Sequence, residues 1–135
     1  MTLPPDDHDL ARDLAHRAGE VLVALRSRLV GEGASPWEVM DSGDMAAHHF
    51  LVGELARFRP DDAILSEEGR DGPARLTAAR VWVVDPLDGT LQYGEPGRPD
   101  WAVHVALVVA GVPVAGAVSL PAMGIVLSTG VACGW

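Results

Sequence analysis

Carboxylate side chains follow two short apolar runs of this 135-residue sequence, each at the point where the run ends. Ala63–Leu65 leads into SEEG at 66–69, and Val81–Val84 leads into DPLDGT at 85–90. A carboxylate that emerges from a buried strand is costly unless a cation or hydrogen-bond donors compensate its charge. Carboxylates gathered from neighbouring strands are the hard oxygen ligands that Mg²⁺ prefers. The spacing therefore predicts a magnesium site.

The second of these turns has features that suit a phosphate ligand as well as a metal ion. Pro86 restricts Asp85 to an extended conformation, so the following turn can direct the Leu87 carbonyl towards the same ion. Gly89 and Thr90 can open a helical turn whose free N–H groups receive a phosphate. Asp-Pro and Asp-Gly are also common in ordinary turns, so each fragment taken alone favours a solvated loop over a metal site.

Two helices and a set of strands must position these turns. Leucines and valines recur at helical spacing from Asp7 to Leu29, and a second apolar stripe predicts a helix that begins at Asp41–Asp44 and ends before Pro60. Between them, Trp37–Met40 is interpreted as a short strand. Beyond Pro60, apolar runs separated by Gly, Pro and Asp predict strands, and the two longest (103–109 and 114–120) are expected to pair antiparallel through a tight Gly-Pro turn. The expected class is α+β, with two N-terminal helices packed on a mostly antiparallel sheet.

The composition excludes several classes of protein. Apolar residues make up 48% and charged residues 21%, which is typical of a globular domain. The net charge is −9 and all ten basic residues are Arg, a balance that argues against binding a nucleic-acid polymer. The apolar tract 102–120 is interrupted by a histidine, two glycines and a proline, which favours two strands over a membrane span. The single cysteine and an N-terminus without signal-peptide features lead us to expect a cytoplasmic protein.

The acidic segments, taken together and in order, resemble the inositol monophosphatase superfamily. Members carry an acidic pair after one strand and Asp-Pro-(Ile/Leu)-Asp-Gly-Thr after the next. This chain has GDMAA at 43–47, SEEG at 66–69 and WVVDPLDGT at 82–90. The resemblance implies the N-terminal layer of that fold and a Mg²⁺-dependent phosphomonoester hydrolase.

The resemblance also implies roles for single residues. The metal ligands it implies are Glu67, Asp85, Asp88 and the backbone oxygen of Leu87. Glu67 would also help position the attacking water, which Asp44 and Thr90 polarise. Asp88, Gly89 and Thr90 would contact the phosphate. The implied reaction is an in-line displacement supported by two metal ions. Glu68 is as readily a solvated neighbour of a ligand.

Within the superfamily, the tract PGRPDWAVHVALV at 96–108 is similar to the 3'(2'),5'-bisphosphate nucleotidase branch, which hydrolyses 3'-phosphoadenosine 5'-phosphate in sulfate assimilation. His104 within this tract is expected to be a core histidine with a satisfied ring. The sequence departs from this branch at Leu91-Gln92-Tyr93, where relatives often carry a basic residue that could hold a second phosphate. Three alternatives stay open: an inositol monophosphatase, a fructose-1,6-bisphosphatase, and a non-catalytic remnant that binds a cation.

Family members are about twice as long as this chain, as expected of two fused layers. Residues 1–135 are therefore interpreted as the N-terminal metal-binding half, without the C-terminal half and its Trp-Asp-x-Ala-Ala-Gly motif. The sequence is compatible with a truncated gene product, a fragment, or a half that assembles with a partner. For each we expect an exposed apolar edge, covered in an assembly by a second copy or by a complementing C-terminal half.

Overall fold

Two long helices lie on one face of a five-stranded sheet in the computed structural model, which describes residues 6–66 and 78–130. In chain order the elements are α1 (Asp7–Gly31), α2 (Pro36–Phe58), β1 (Ala63–Ser66), β2 (Arg80–Asp88), α3 (Thr90–Tyr93), β3 (Ala102–Val109), β4 (Val112–Leu120), a 3₁₀ turn (Pro121–Met123) and β5 (Ile125–Ser128). The strand order is β1-β2-β3-β4-β5, with β1 parallel to β2 and all other pairs antiparallel. The expected α+β class and mostly antiparallel sheet are confirmed.

The first helix begins and ends where the sequence predicts. The Asp6 carboxylate accepts a hydrogen bond from the Asp9 N–H at 2.7 Å and caps the N-terminus of α1. At the other end Gly33 has φ +78°, and the Ala34 N–H donates to the Leu29 carbonyl. This is the glycine-dependent arrangement that commonly ends α-helices.

The second helix begins earlier than predicted. Ser35 is its N-cap, since the Ser35 hydroxyl accepts from the Glu38 N–H at 3.2 Å, and Pro36 occupies the first turn. Both the strand predicted at Trp37–Met40 and the cap predicted at Asp41–Asp44 are therefore wrong, because the helix runs through both segments. A serine cap followed by proline is a helix start signal, and the burial of Val39 in the core favours this start over the later one.

The β3–β4 hairpin is antiparallel as predicted, but its turn lies earlier than the expected Gly-Pro pair. Val109 pairs with Val112, so the loop consists of Ala110 and Gly111, with φ +50° and +80°. Two consecutive positive φ values match the right-handed twist of a two-residue hairpin. Pro113 lies in β4.

The core lies between the helices and one sheet face. Its sheet side is built from alternate residues, among them Trp82, Val84, Val103, Val105 and Leu107, each 2% exposed or less. The opposite face carries the residues between them, which are half-buried. No helix within the described residues is both long and apolar enough to span a membrane.

Candidate metal and phosphate site

A β-bulge in β2 decides which way the acidic turn points. Asp85 pairs with His104 of β3 and Asp88 pairs with Ala102, so three steps on β2 oppose two on β3. In a regular strand, residues three apart face opposite sides of the sheet. The extra residue in the bulge removes that inversion and brings both carboxylates towards the same side. Pro86, which lacks an N–H for the ladder, accounts for the bulge.

His104 lies against the acidic turn from the neighbouring strand. Its Nε2 is 3.0 Å from Asp88 Oδ2, and its side chain is 41% exposed. The expectation of a core histidine is therefore wrong. The alternation of β3 could have shown this, because Val103 and Val105 are buried and a residue between two core-facing residues points to the other face.

Asp44 and Thr90, predicted as a pair, are in contact although 46 positions separate them. The Thr90 hydroxyl lies 3.2 Å from Asp44 Oδ1 and 3.3 Å from the Leu87 carbonyl oxygen. Asp44 projects from α2, and Thr90 is the first residue of α3. The contact therefore joins the helical layer to the end of β2.

Two glycines allow this close approach. A Cβ at Gly43, next to Asp44, would lie 2.4 Å from Tyr93 Cε1, so only glycine lets α3 pack on α2 here. Gly89 has φ +87°, and a Cβ there would lie 2.9 Å from the Asp100 carbonyl oxygen. A side chain at either position would force these neighbouring residues of the site to shift.

Arg26 of α1 holds the segment that follows the acidic turn, and sequence reasoning missed it. Its guanidinium donates to the carbonyl oxygens of Gln92, Glu95 and Arg98. The same group lies 5.5 Å from the centre of the Tyr93 ring, within cation–π range. An arginine on a helix has no local pattern that signals such a contact.

Tyr93 anchors the same segment to α1. Its hydroxyl donates to the Leu22 carbonyl oxygen at 2.7 Å, and its ring meets Trp101 edge to face. Burial raises the pKa of Tyr93 to about 12, because ionisation would leave a desolvated charge. The neutral phenol is thus part of the folded site at physiological pH.

The predicted acidic pair Glu67 and Glu68 lies outside the described residues. Ser66, directly before it, is buried, and its hydroxyl lies 2.9 Å from His48 Nδ1. His48 is four residues after Asp44 on α2, so the two side chains share a helix face. Over 6–66 and 78–130, no three His, Cys, Asp or Glu side chains form a cluster that could hold a metal ion.

Comparisons with known proteins agree on one family. The inositol monophosphatase family profile matches residues 7–134. A 3'-phosphoadenosine 5'-phosphate phosphatase of Mycobacterium leprae is 48% identical over 101 residues, covering 75% of this chain and 36% of that protein. Inositol-1-monophosphatase SuhB of Mycobacterium tuberculosis is 39% identical over 139 residues, covering 88% of this chain and 47% of that protein.

The fold leads to the same family. A solved structure of Mycobacterium tuberculosis SuhB superposes with a TM-score of 0.75 at 31% identity, covering 96% of this chain and 46% of that one. The chain thus spans between about a third and a half of the length of the relatives it matches. The profile match, the sequence identities and the superposition show that the chain belongs to the inositol monophosphatase family.

Proposed function

We propose that this chain carries the metal-binding part of a Mg²⁺-dependent phosphatase that removes phosphate from 3'-phosphoadenosine 5'-phosphate. The observation that carries the chemistry is the bulge in β2, which turns Asp85 and Asp88 to one side of the sheet, at the strand end where Thr90 meets Asp44. The relative at 48% identity supports the substrate, because its name specifies that compound. We also propose that the protein is cytoplasmic and acts in sulfate assimilation, as the family resemblance suggests.

The donor atoms at the end of β2 fit Mg²⁺. They are the Asp85 and Asp88 carboxylates and the Leu87 carbonyl, all hard oxygen ligands, with Glu67 proposed as a further ligand. When bound, the ion supplies positive charge that neutralises the phosphate during displacement.

The chain's own groups orient the attacking water and the phosphate. When the Thr90 hydroxyl donates its hydrogen to Asp44, a lone pair on the Thr90 oxygen is available to a water proton. Glu67 is proposed to hold the same water. Asp88 and the backbone N–H groups of Gly89 and Thr90 are proposed to contact the phosphate. The water oxygen bonds to phosphorus as the P–O bond on the opposite side breaks, and the leaving oxygen takes up a proton from solvent to become a hydroxyl group.

Inositol monophosphate is the second candidate substrate, because the 39% identical relative is an inositol-1-monophosphatase. The two substrates share the phosphate and differ in the group that carries it. The acidic turn would act on either, so the choice depends on contacts beyond the phosphate.

The proposal is tested by measuring phosphate release from 3'-phosphoadenosine 5'-phosphate and from inositol 1-phosphate, with Mg²⁺ and with a chelator. We expect faster release from the nucleotide, dependence on Mg²⁺, and a loss of about tenfold or more in Asp88→Asn. Asp61→Asn, an exposed carboxylate remote in sequence from the turn, is the matched control and should retain activity. Equal rates in the chelator, or preference for the inositol ester, would overturn the proposal.

A further inference from the structure

Two large apolar side chains near the candidate site are exposed to solvent. Trp37 is 77% exposed and Leu91 is 74% exposed, the highest values among the large apolar residues that the structure describes. Removing apolar surface from water is favourable, so a ligand that covers such side chains is bound more tightly. Their location decides what that ligand is.

Both side chains belong to the two helices that carry the Asp44–Thr90 pair. Trp37 and Asp44 are seven residues apart on α2, which places them on one helix face, about 10.5 Å apart along its axis. Leu91 directly follows Thr90 on α3. Helix α3 lies along the first turns of α2, since a Cβ at Gly94 would be 2.5 Å from Met40 Cγ.

The charges around Trp37 do not suit a second phosphate. Glu38 and Asp41, beside it on α2, are acidic and exposed. Arg98, in the segment after α3, is engaged by Asp100 at 2.6 Å and by Glu95 at 3.0 Å. An apolar surface among acidic neighbours favours an uncharged, flat group.

We propose that Trp37, with Leu91 on the adjoining helix α3, binds the purine ring of a nucleotide whose phosphate lies at the Asp44–Thr90 end. This inference rests on the proposed function for the position of the phosphate. In a nucleotide the ribose separates the phosphate from the purine ring, whereas an inositol phosphate has no aromatic ring that could stack on Trp37. Trp37 is thus a specificity-determining residue, because base–aromatic stacking distinguishes a nucleotide from a polyol phosphate.

Calorimetric titrations of the chain with Mg²⁺ present test this assignment. The ligands are adenosine 5'-monophosphate, inositol 1-phosphate and inorganic phosphate, and the variants are Trp37→Ala, Trp37→Phe and Met123→Ala. We expect Trp37→Ala to weaken adenosine 5'-monophosphate binding by about tenfold, and Trp37→Phe, which keeps a stacking ring, to restore most of the affinity. Met123, exposed on the 3₁₀ turn, is the control and should have no effect.

Other outcomes separate this inference from the proposed function. An unchanged nucleotide affinity in Trp37→Ala, equal losses for all three ligands, or a wild-type chain that binds no nucleotide would each overturn the assignment of Trp37. Phosphate release tests the function separately. A chain that releases no phosphate but shows Trp37-dependent nucleotide binding would keep this inference and show that this chain is not a phosphatase on its own.

Discussion

Tyr93 offers a direct measurement of how firmly the site is packed, because it is the chain's one tyrosine. Burial raises its pKa to about 12, whereas a tyrosine in an unfolded chain ionises near ~10. The folded state favours the neutral phenol, so this contribution to stability is fully present below the unfolded pKa. This contribution is lost as the pH rises through the pKa of the folded state.

We therefore expect the tyrosinate absorbance of the native chain to appear near pH 12, and that of the urea-unfolded chain near pH ~10. Circular dichroism at each pH shows whether ionisation coincides with unfolding. A native midpoint equal to the unfolded one would contradict the burial of this side chain against Leu22.

At the same scale, sequence reasoning found candidate residues but not their orientation. The motif from Asp85 to Thr90 can be identified from the sequence alone, and Thr90 does contact Asp44. Pro86 makes a bulge in β2 understandable, but the direction in which the bulge turns Asp88 depends on the register with β3, which the local sequence does not specify. The roles of these residues stay predictions.

Helix α2 contains two glycines with opposite surroundings, which gives a matched pair of substitutions. A Cβ at Gly43 would overlap Tyr93, whereas a Cβ at Gly53 meets nothing within 4 Å. Alanine favours a helix interior over glycine by up to ~1 kcal/mol, and overpacking a core costs about 1–3 kcal/mol. We expect Gly53→Ala to raise the free energy of unfolding and Gly43→Ala to lower it.

Urea unfolding followed by circular dichroism measures both variants. If Gly43→Ala stabilised the chain as much as Gly53→Ala, the close packing of α3 on α2 would be wrong. The result bears on function as well, because Gly43 adjoins Asp44, and Tyr93, against which Gly43 lies, belongs to the same short helix as Thr90.

The start of α2 shows why element boundaries were harder to predict than element types. Ser35 and the segment 41–44 both contain residues that cap helices, and local signals do not rank them. Packing decides, because Val39 is buried in the core and Met40 meets Gly94 of the site segment. The consequence is functional, since a continuous helix places Trp37 on the same face as Asp44.

At the scale of the whole molecule, the sheet edge formed by β5 remains apolar and exposed. Ile125 and Leu127 of β5 and Val114 of β4 are each more than 40% exposed. Such an edge favours pairing with another chain. We propose that a second copy, or the complementing half of the family fold, covers it.

We expect light scattering to show self-association that increases with salt, because salt screens the repulsion between chains of net charge −9. Leu127→Thr keeps strand propensity and removes apolar surface, so it should shift the chain towards monomer. Val30→Thr, at an exposed position on α1, is the control. Monomers at every salt concentration would refute an associating edge.

The central claim is that the acidic turn at the end of β2 holds Mg²⁺. Its most direct test is calorimetric titration with Mg²⁺ of the wild-type chain, Asp85→Asn and the control Asp61→Asn. Asparagine preserves the shape of Asp85 and removes its charge, so we predict a loss of Mg²⁺ affinity of about tenfold or more with the fold retained. Unchanged Mg²⁺ binding in Asp85→Asn, or an equal loss in Asp61→Asn, would contradict the assignment.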